Sequence, residues 1–213
     1  MSTLLHIDSS PHYGRSVSRE LTAAFVTQWK ASRPDGRVVD RDLNATAMPP
    51  ITAEWAGAVY TPEEARTTQQ KELLSLSDSL IAELEQADEY VFGVPMHNFG
   101  VPSVLKLWID QIARAGRTFS YADGTPKGLI VGKKATFIIA TGGIYDAQTQ
   151  MASFNFVEPY LRSVFGFLGL TDATFLTAGG TAALNQGHDR QAFLAPHLQM
   201  VQTHARSLQG GAA

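Results

Sequence analysis

The chain holds 213 residues with 17 basic and 20 acidic side chains, a formal net charge of −3. With 44% hydrophobic residues, this length suits one α/β domain built on one sizeable core. The near-neutral charge disfavours non-specific binding to nucleic acid or anionic membrane, and the absence of cysteine excludes disulfide scaffolds, thiolate zinc sites, iron–sulfur clusters and cysteine nucleophiles.

The first apolar run, Leu4-Leu5-His6-Ile7, reads as a strand and lacks the basic flank and small-residue cleavage pattern of a targeting segment. Residues 16–32 have helical spacing, with Val17, Leu21, Ala24, Phe25 and Val26 on or near one face and Trp29 a turn further on. Residues 38–43 give a weaker strand that Asp40, Arg41 and Asp42 mark as an edge. Residues 47–62 look too polar and broken for a core element, so Trp55, Val59 and Tyr60 read as apolar material for an interface. Thr61-Pro62-Glu63-Glu64 predicts a helix start, with a hydroxyl cap, a proline and two acids at the positive helix end. That helix offers Leu73, Leu76, Leu80 and Leu84 to a sheet.

Residues 90–94 form a continuous apolar strand of the kind buried on both faces. Residues 101–115 return to helix, residues 135–140 give another buried strand, and residues 154–168 an aromatic-rich helix. Residues 173–176 are the last strand and 189–208 the last helix, leaving Gln209 to Ala213 as a frayed tail. No linker divides residues 1–208, and no apolar run of about 18 residues is present to span a bilayer; a soluble, cytoplasmic protein is expected. Five strands, each followed by a helix, predict a right-handed doubly wound parallel sheet with helices on both faces. Ligands of such sheets sit outside the carboxyl ends of the strands, which directs attention to the loops after Ile7, Val94 and Ala140.

The usual chemical signatures are missing: no P-loop, no G-x-G-x-x-G after the first strand, no nucleophile elbow and no H-E-x-x-H helix. His188, His197 and His204, placed on the last helix, lack the spacing of a helical metal pair and read as solvated surface; no metal site is expected. The first loop, Asp8 to Ser18, joins a strand end to a helix start, where free N–H groups and the hydroxyls of Ser10, Ser16 and Ser18 suit a monophosphate; simple helix capping is the even alternative. The second loop, Pro95-Met96-His97-Asn98-Phe99-Gly100, is apolar and aromatic enough to meet a flat heterocycle, or else it is a buried turn. The third, Thr141-Gly142-Gly143-Ile144-Tyr145, lets backbone approach a ligand closely, or is a plain tight turn. Adjacent on one sheet edge, the three loops together describe a flavin mononucleotide site.

The combination S-S-x(5)-S-x-S, P-M-H-N-F-G, the run Trp108 to Tyr121 and T-G-G-I resembles the FMN-dependent NADH-azoreductases, a quinone-reductase family with a flavodoxin-like fold. The resemblance runs from Leu4 to about Leu208 and is most specific between Pro95 and Tyr121. It implies strand order 2-1-3-4-5 and a homodimer with one FMN per subunit at the interface. It also implies NADH or NADPH as electron donor, and quinones or azo compounds as acceptors in a ping-pong cycle. Carried over by motif, the phosphate meets Ser10, Ser16, Val17 and Ser18; the ring meets Met96, His97, Asn98 and Phe99 together with Thr141, Gly142, Gly143 and Ile144. His97, Phe119, Tyr121 and Tyr145 border the acceptor, and His97 is the titratable group placed to assist protonation, with no indispensable catalytic side chain. His97 stands where many members carry tyrosine, and Thr141 also departs from the pattern, which bears on substrate and nucleotide preference. Two other readings remain at this point: a flavodoxin-type electron carrier, and an interaction protein that keeps the fold without a cofactor.

Overall fold

The computed structural model describes residues 2–122 and 124–208; the tail expected over Gln209 to Ala213 lies outside the described residues. Five strands, β1 (Thr3–Asp8), β2 (Arg37–Asp42), β3 (Glu89–Pro95), β6 (Lys134–Ala140) and β7 (Asp172–Ala178), pair in parallel in the order β2-β1-β3-β6-β7. Two further strands of two residues each, β4 (Phe119–Ser120) and β5 (Lys127–Gly128), form a separate antiparallel pair that sequence reading missed. The main sheet thus has the expected 2-1-3-4-5 connectivity, with the polar β2 at an edge.

Helices α1 (Val17–Ser32) and α6 (Arg190–Ser207) cover one face, where Leu21, Phe25 and Trp29 of α1 meet Leu194, Val201 and Ala205 of α6. Helices α3 (Thr68–Gln86), α4 (Ser103–Ile112) and α5 (Val157–Phe167) cover the other. At the centre of that second core Phe92, Phe137 and Phe175 occupy matched register positions on β3, β6 and β7. Their rings stack at 4.7 and 4.8 Å, while Trp108 and Phe165 close on Phe92 at 5.8 and 5.1 Å. This aromatic ladder fixes the strand register, because a one-residue slip would turn each ring to the opposite face.

Three expectations are corrected. The segment 47–62 contains a helix, α2 (Ala53–Tyr60), capped by the Thr52 hydroxyl. Trp55 and Ala58 are buried on Leu74 of α3 with Val59 against them, so Trp55 and Val59 are consumed inside the chain; Tyr60 alone stays open, at 84% exposure. Helix α3 starts six residues later than Thr61: Thr67 and Gln70 form a reciprocal capping box, and Glu63–Ala65 is only a 3-10 turn. The Arg66 guanidinium holds the carbonyls of Ala58 and Thr61, ending α2 and delaying α3. The buried stripe of α3 is therefore Leu74, Ser77, Leu80, Ile81 and Leu84, and Leu73 is 40% exposed. The last histidines differ too. His188 precedes α6, whose cap is Asp189; His204 is half-buried with Nε2 3.0 Å from the Thr136 hydroxyl; His197 packs its ring on Phe193. Burial pushes the imidazoles of His197 and His204 down from their ordinary pKa.

Candidate functional site

Parallel β1, β3, β6 and β7 bring their carboxyl ends to one edge, and the loops that leave them form a cleft of about 780 Å³. Its floor is the start of α1. Ser16 is the N-cap, its hydroxyl accepting from the Arg19 N–H at 3.3 Å, and the N–H groups of Val17 and Ser18 make no hydrogen bond among the described residues. Ser10 and Ser18 are buried, and the Ser18 hydroxyl lies 3.1 Å from that of Ser16. Free N–H groups, hydroxyls and the positive helix end converge here, an arrangement that suits an anion. Arg15, His12 and His188 stand around the same cleft, with Arg190, which pairs with Glu20.

The second loop is a tight reversal. His97 and Gly100 exchange backbone hydrogen bonds of 3.0 Å, and the two residues between them lie in the left-handed region, Asn98 at φ 48° and Phe99 at φ 70°. Asparagine tolerates this conformation; for phenylalanine it is strained, and strain of this sort persists only where surrounding contacts enforce it. Here the Phe99 carbonyl accepts from Phe156 N–H at 3.1 Å, and its ring packs on Phe154 at 5.2 Å and Tyr145 at 6.3 Å. The outcome is a turn whose Asn98 and Phe99 N–H groups and Asn98 amide have no partner among the described residues.

In the third loop Thr141 is buried and clamps the glycines from behind: its hydroxyl donates to the Gly143 carbonyl at 2.8 Å. Gly180, Thr181 and Ala182 donate to the carbonyls of Gly143, Thr141 and Gly142 in turn. All three carbonyls are thereby occupied, while the N–H groups of Gly142, Gly143 and Ile144 have no partner among the described residues. A Cβ on Gly143 would stand 3.2 Å from the Tyr145 ring, so close seating of that ring calls for glycine.

Ser10, Ser16, Val17, Ser18, Met96, His97 and Gly142 line the cleft together. His97 and Asn98 also border a second, adjoining groove of about 830 Å³ walled by Val101, Phe156, Pro159 and Tyr160, with Lys106 at its side. Phe99, Thr141, Gly143, Ile144 and Tyr145 belong to the loops rather than to the cleft wall. Phe119 and Tyr121 are elsewhere. They follow the carboxyl end of α4, and Phe119 packs on Phe167 at the carboxyl end of α5, so both stand at the opposite, amino-terminal edge of the sheet. Sequence reading missed the far wall, Thr181, Leu184, Asn185, His188 and Arg190. The signal available was the pair of left-handed glycines, Gly180 at φ 79° and Gly187 at φ 87°, that bracket the 3-10 turn Thr181–Gln186. Partial desolvation and the neighbouring His12 push the His97 imidazole below its ordinary pKa, although the residue remains exposed at the border of the two cavities.

Residues 2–204 match the flavodoxin-like fold family Flavodoxin_2. An FMN-dependent NADH:quinone oxidoreductase of Acidobacterium capsulatum is 55% identical over 206 residues, covering 96% of this chain and 100% of the relative. One of Burkholderia lata is 49% identical over 202 residues, 94% of this chain and 98% of the relative. Among solved structures, an azoreductase from Bacillus anthracis superposes with a TM-score of 0.88 at 26% identity, covering 97% of this chain and 100% of the other. An FMN-dependent NADH-azoreductase from the same organism, solved in complex with FMN, gives 0.86 at 27% identity over 98% of this chain and 99% of the other. The phosphate-type seat, the strained turn and the clamped glycine loop at one sheet edge accord with these matches, and the chain belongs to the flavodoxin-like family of FMN-dependent NADH:quinone oxidoreductases.

Proposed function

We propose that this chain binds one FMN per subunit in the 780 Å³ cleft and passes two electrons from NADH or NADPH to quinones and azo compounds in a ping-pong cycle. One observation carries the reading. Unpartnered N–H groups stand in the cleft at Val17 and Ser18 of the anion seat and at Gly142, and on the loops at its edge at Asn98, Phe99, Gly143 and Ile144. A ligand with a phosphate at one end and a flat, carbonyl-bearing ring at the other satisfies both sets. FMN held there would supply the two-electron redox chemistry between nicotinamide and acceptor. The protein's share is seating and electrostatics: backbone donors of the glycine loop favour negative charge on the ring edge they face. His97, lining both cavities, stands where its imidazole can donate or accept a hydrogen bond as an acceptor takes up its proton.

The acceptor walls require a second copy. Phe119 and Tyr121 lie at the edge remote from their own cleft, so as pocket walls they serve the partner's site. Phe156, 58% exposed on the groove, and the exposed Ile144 and Phe154 leave apolar surface for that copy to cover. Residues 1–208 act as one FMN-binding unit in a cytoplasmic homodimer; among the described residues no helix is long and apolar enough to cross a membrane.

The purified protein is expected to be yellow and to oxidise NADH with a quinone, giving parallel double-reciprocal lines as the quinone is varied. Yellow protein inert with small acceptors would point to an electron carrier, and colourless protein that FMN cannot reconstitute would refute the reading. The same quinone assayed with NADPH settles the donor. Ser16→Ala and Asn98→Ala are each expected to weaken FMN binding by about tenfold, one lost hydrogen bond to a charged or polar group. Ser16→Ala should also lower stability by about 1 kcal/mol through loss of the α1 cap. Flavin affinity unaltered in both variants would count against the loop assignment.

A further inference from the structure

Behind the anion seat, outside the cleft wall, one guanidinium ties four pieces of chain together. Arg19, in the first turn of α1, donates from Nε and Nη2 to the Ser10 carbonyl at 2.9 and 2.7 Å. Nη2 also meets Asp42 Oδ1, at the end of β2, at 2.7 Å. Nη1 reaches Asp8 Oδ2, at the end of β1, at 3.4 Å, and the guanidinium carbon lies 4.5 Å from the centre of the Tyr13 ring. The side chain is only 14% exposed and does not line the cleft, whereas Ser10 does. Asp8 is itself fixed, its Oδ1 accepting from the Thr22 hydroxyl at 3.0 Å and packing over Gly93, where a Cβ would stand 2.2 Å from that oxygen.

This geometry has a consequence for the loop. A carbonyl oxygen facing an anion seat repels the anion, and Pro11, following Ser10, offers no N–H in exchange. The forked pair of bonds holds the Ser10 carbonyl on the guanidinium, which lies outside the cleft wall, while the buried Ser10 hydroxyl accepts from His12 N–H at 3.3 Å. A lysine in place of Arg19 carries the same charge but cannot supply the planar fork that meets the Ser10 carbonyl and both carboxylates at once.

We propose that Arg19 is a positioning residue for the phosphate end of the cofactor: it orients the Ser10 peptide and closes the Asp8–Ser18 loop into an anion seat without touching the anion. The proposal rests on the FMN reading above, and the test separates the two. Apoprotein is titrated with FMN and with riboflavin, which carries the same ring and no phosphate, and binding is followed by flavin fluorescence. The expected result is that Arg19→Lys and Arg19→Gln each weaken FMN by at least about tenfold and leave riboflavin affinity unchanged. Since Arg19→Gln leaves buried Asp8 with the His6 imidazolium as its remaining cation, the double variant Asp8→Asn/Arg19→Gln serves as a folded alternative with the same expected loss. Parallel weakening of both flavins would show a merely structural role and overturn the proposal. FMN affinity kept in Arg19→Lys but lost in Arg19→Gln would assign the effect to charge alone and overturn it equally. Wild-type protein that binds neither flavin would overturn the FMN reading and this proposal with it.

Discussion

Gly128→Ala is expected to lower the unfolding free energy by roughly 3–5 kcal/mol and the melting temperature by about 10 °C. A Cβ at this position would stand 2.1 Å from the Gly169 nitrogen, 2.2 Å from the Leu168 carbonyl carbon and 2.4 Å from the Gly169 Cα. These are backbone atoms, so no side-chain rotation relieves the clash. Gly169 is at φ 101°, in a turn that closes α5 and that few other residues adopt. Relief requires the β4–β5 hairpin to leave the end of α5, which breaks the 2.8 Å bond from Ile130 N–H to the Leu168 carbonyl and uncovers Ile130 and the Phe119–Phe167 contact. Gly57→Ala is the matched comparison. A Cβ there meets nothing, inside a helix, and the substitution should raise stability by about 0.5–1 kcal/mol. Chemical denaturation of the two variants measures both signs. Near-native stability of Gly128→Ala would mean that the hairpin is not sealed on α5. The hairpin carries Phe119 and Tyr121, so displacement should also slow acceptor turnover while FMN affinity of the folded fraction is kept.

The elements that sequence reading placed best are those where one physical signal dominates. β3 and β6 are unbroken apolar runs buried on both faces, and Ser16 caps α1 before a four-residue repeat of Val17, Leu21, Phe25 and Trp29. Where two signals competed, the more obvious lost. Thr61-Pro62-Glu63-Glu64 has the composition of a helix start, yet Thr67 and Gln70 satisfy each other's backbone and Arg66 seals the chain ahead of them. Helix α2 was hidden because its buried face amounts to Trp55 and Ala58, too little for a visible period in eight residues. The β4–β5 pair was hidden because two-residue strands have no period at all. The anion seat and the two loops were legible because their residues are contiguous. The far wall of the cleft was not, since Leu184, Asn185 and His188 become neighbours of Ser16 only through the packing of α6 on α1. Arg19 was passed over for a related reason: its partners Asp8, Ser10 and Asp42 meet only once β1 and β2 pair.

That pairing also buries a charge, and with it a pH dependence. His6 on β1 has Nδ1 2.8 Å from Asp40 Oδ1 on β2 and Nε2 3.3 Å from Asp8 Oδ2. Burial by itself would lower the imidazole pKa, but the bonds and charges of Asp40 and Asp8 outweigh it and hold the value up to about 9, from an ordinary 6.5. The imidazolium bond in turn lowers the Asp40 carboxyl. Below pH 6.5 the folded and unfolded chains both carry the His6 proton and the stabilisation is complete. Between 6.5 and about 9 the unfolded chain gives up the proton while the folded chain keeps it, so stability falls with rising pH, and above that range the contribution is gone. The loss expected across the window is about 3 kcal/mol. His97, His197 and His204, whose values are lowered by burial, act in the opposite direction and only below 6.5, so they leave this window clear. Urea unfolding at the two ends of the window should show the decline in wild-type protein and a flat response in His6→Gln, with Asp40→Asn between them. An equal decline in His6→Gln would sink the assignment. Asp8 also faces Arg19 behind the anion seat, so deprotonating His6 leaves the guanidinium as the cation paired with the carboxylate and should tighten rather than loosen the loop. Stability and cofactor affinity are therefore expected to part company above the histidine's pKa, a divergence that a common loss of structure would not produce.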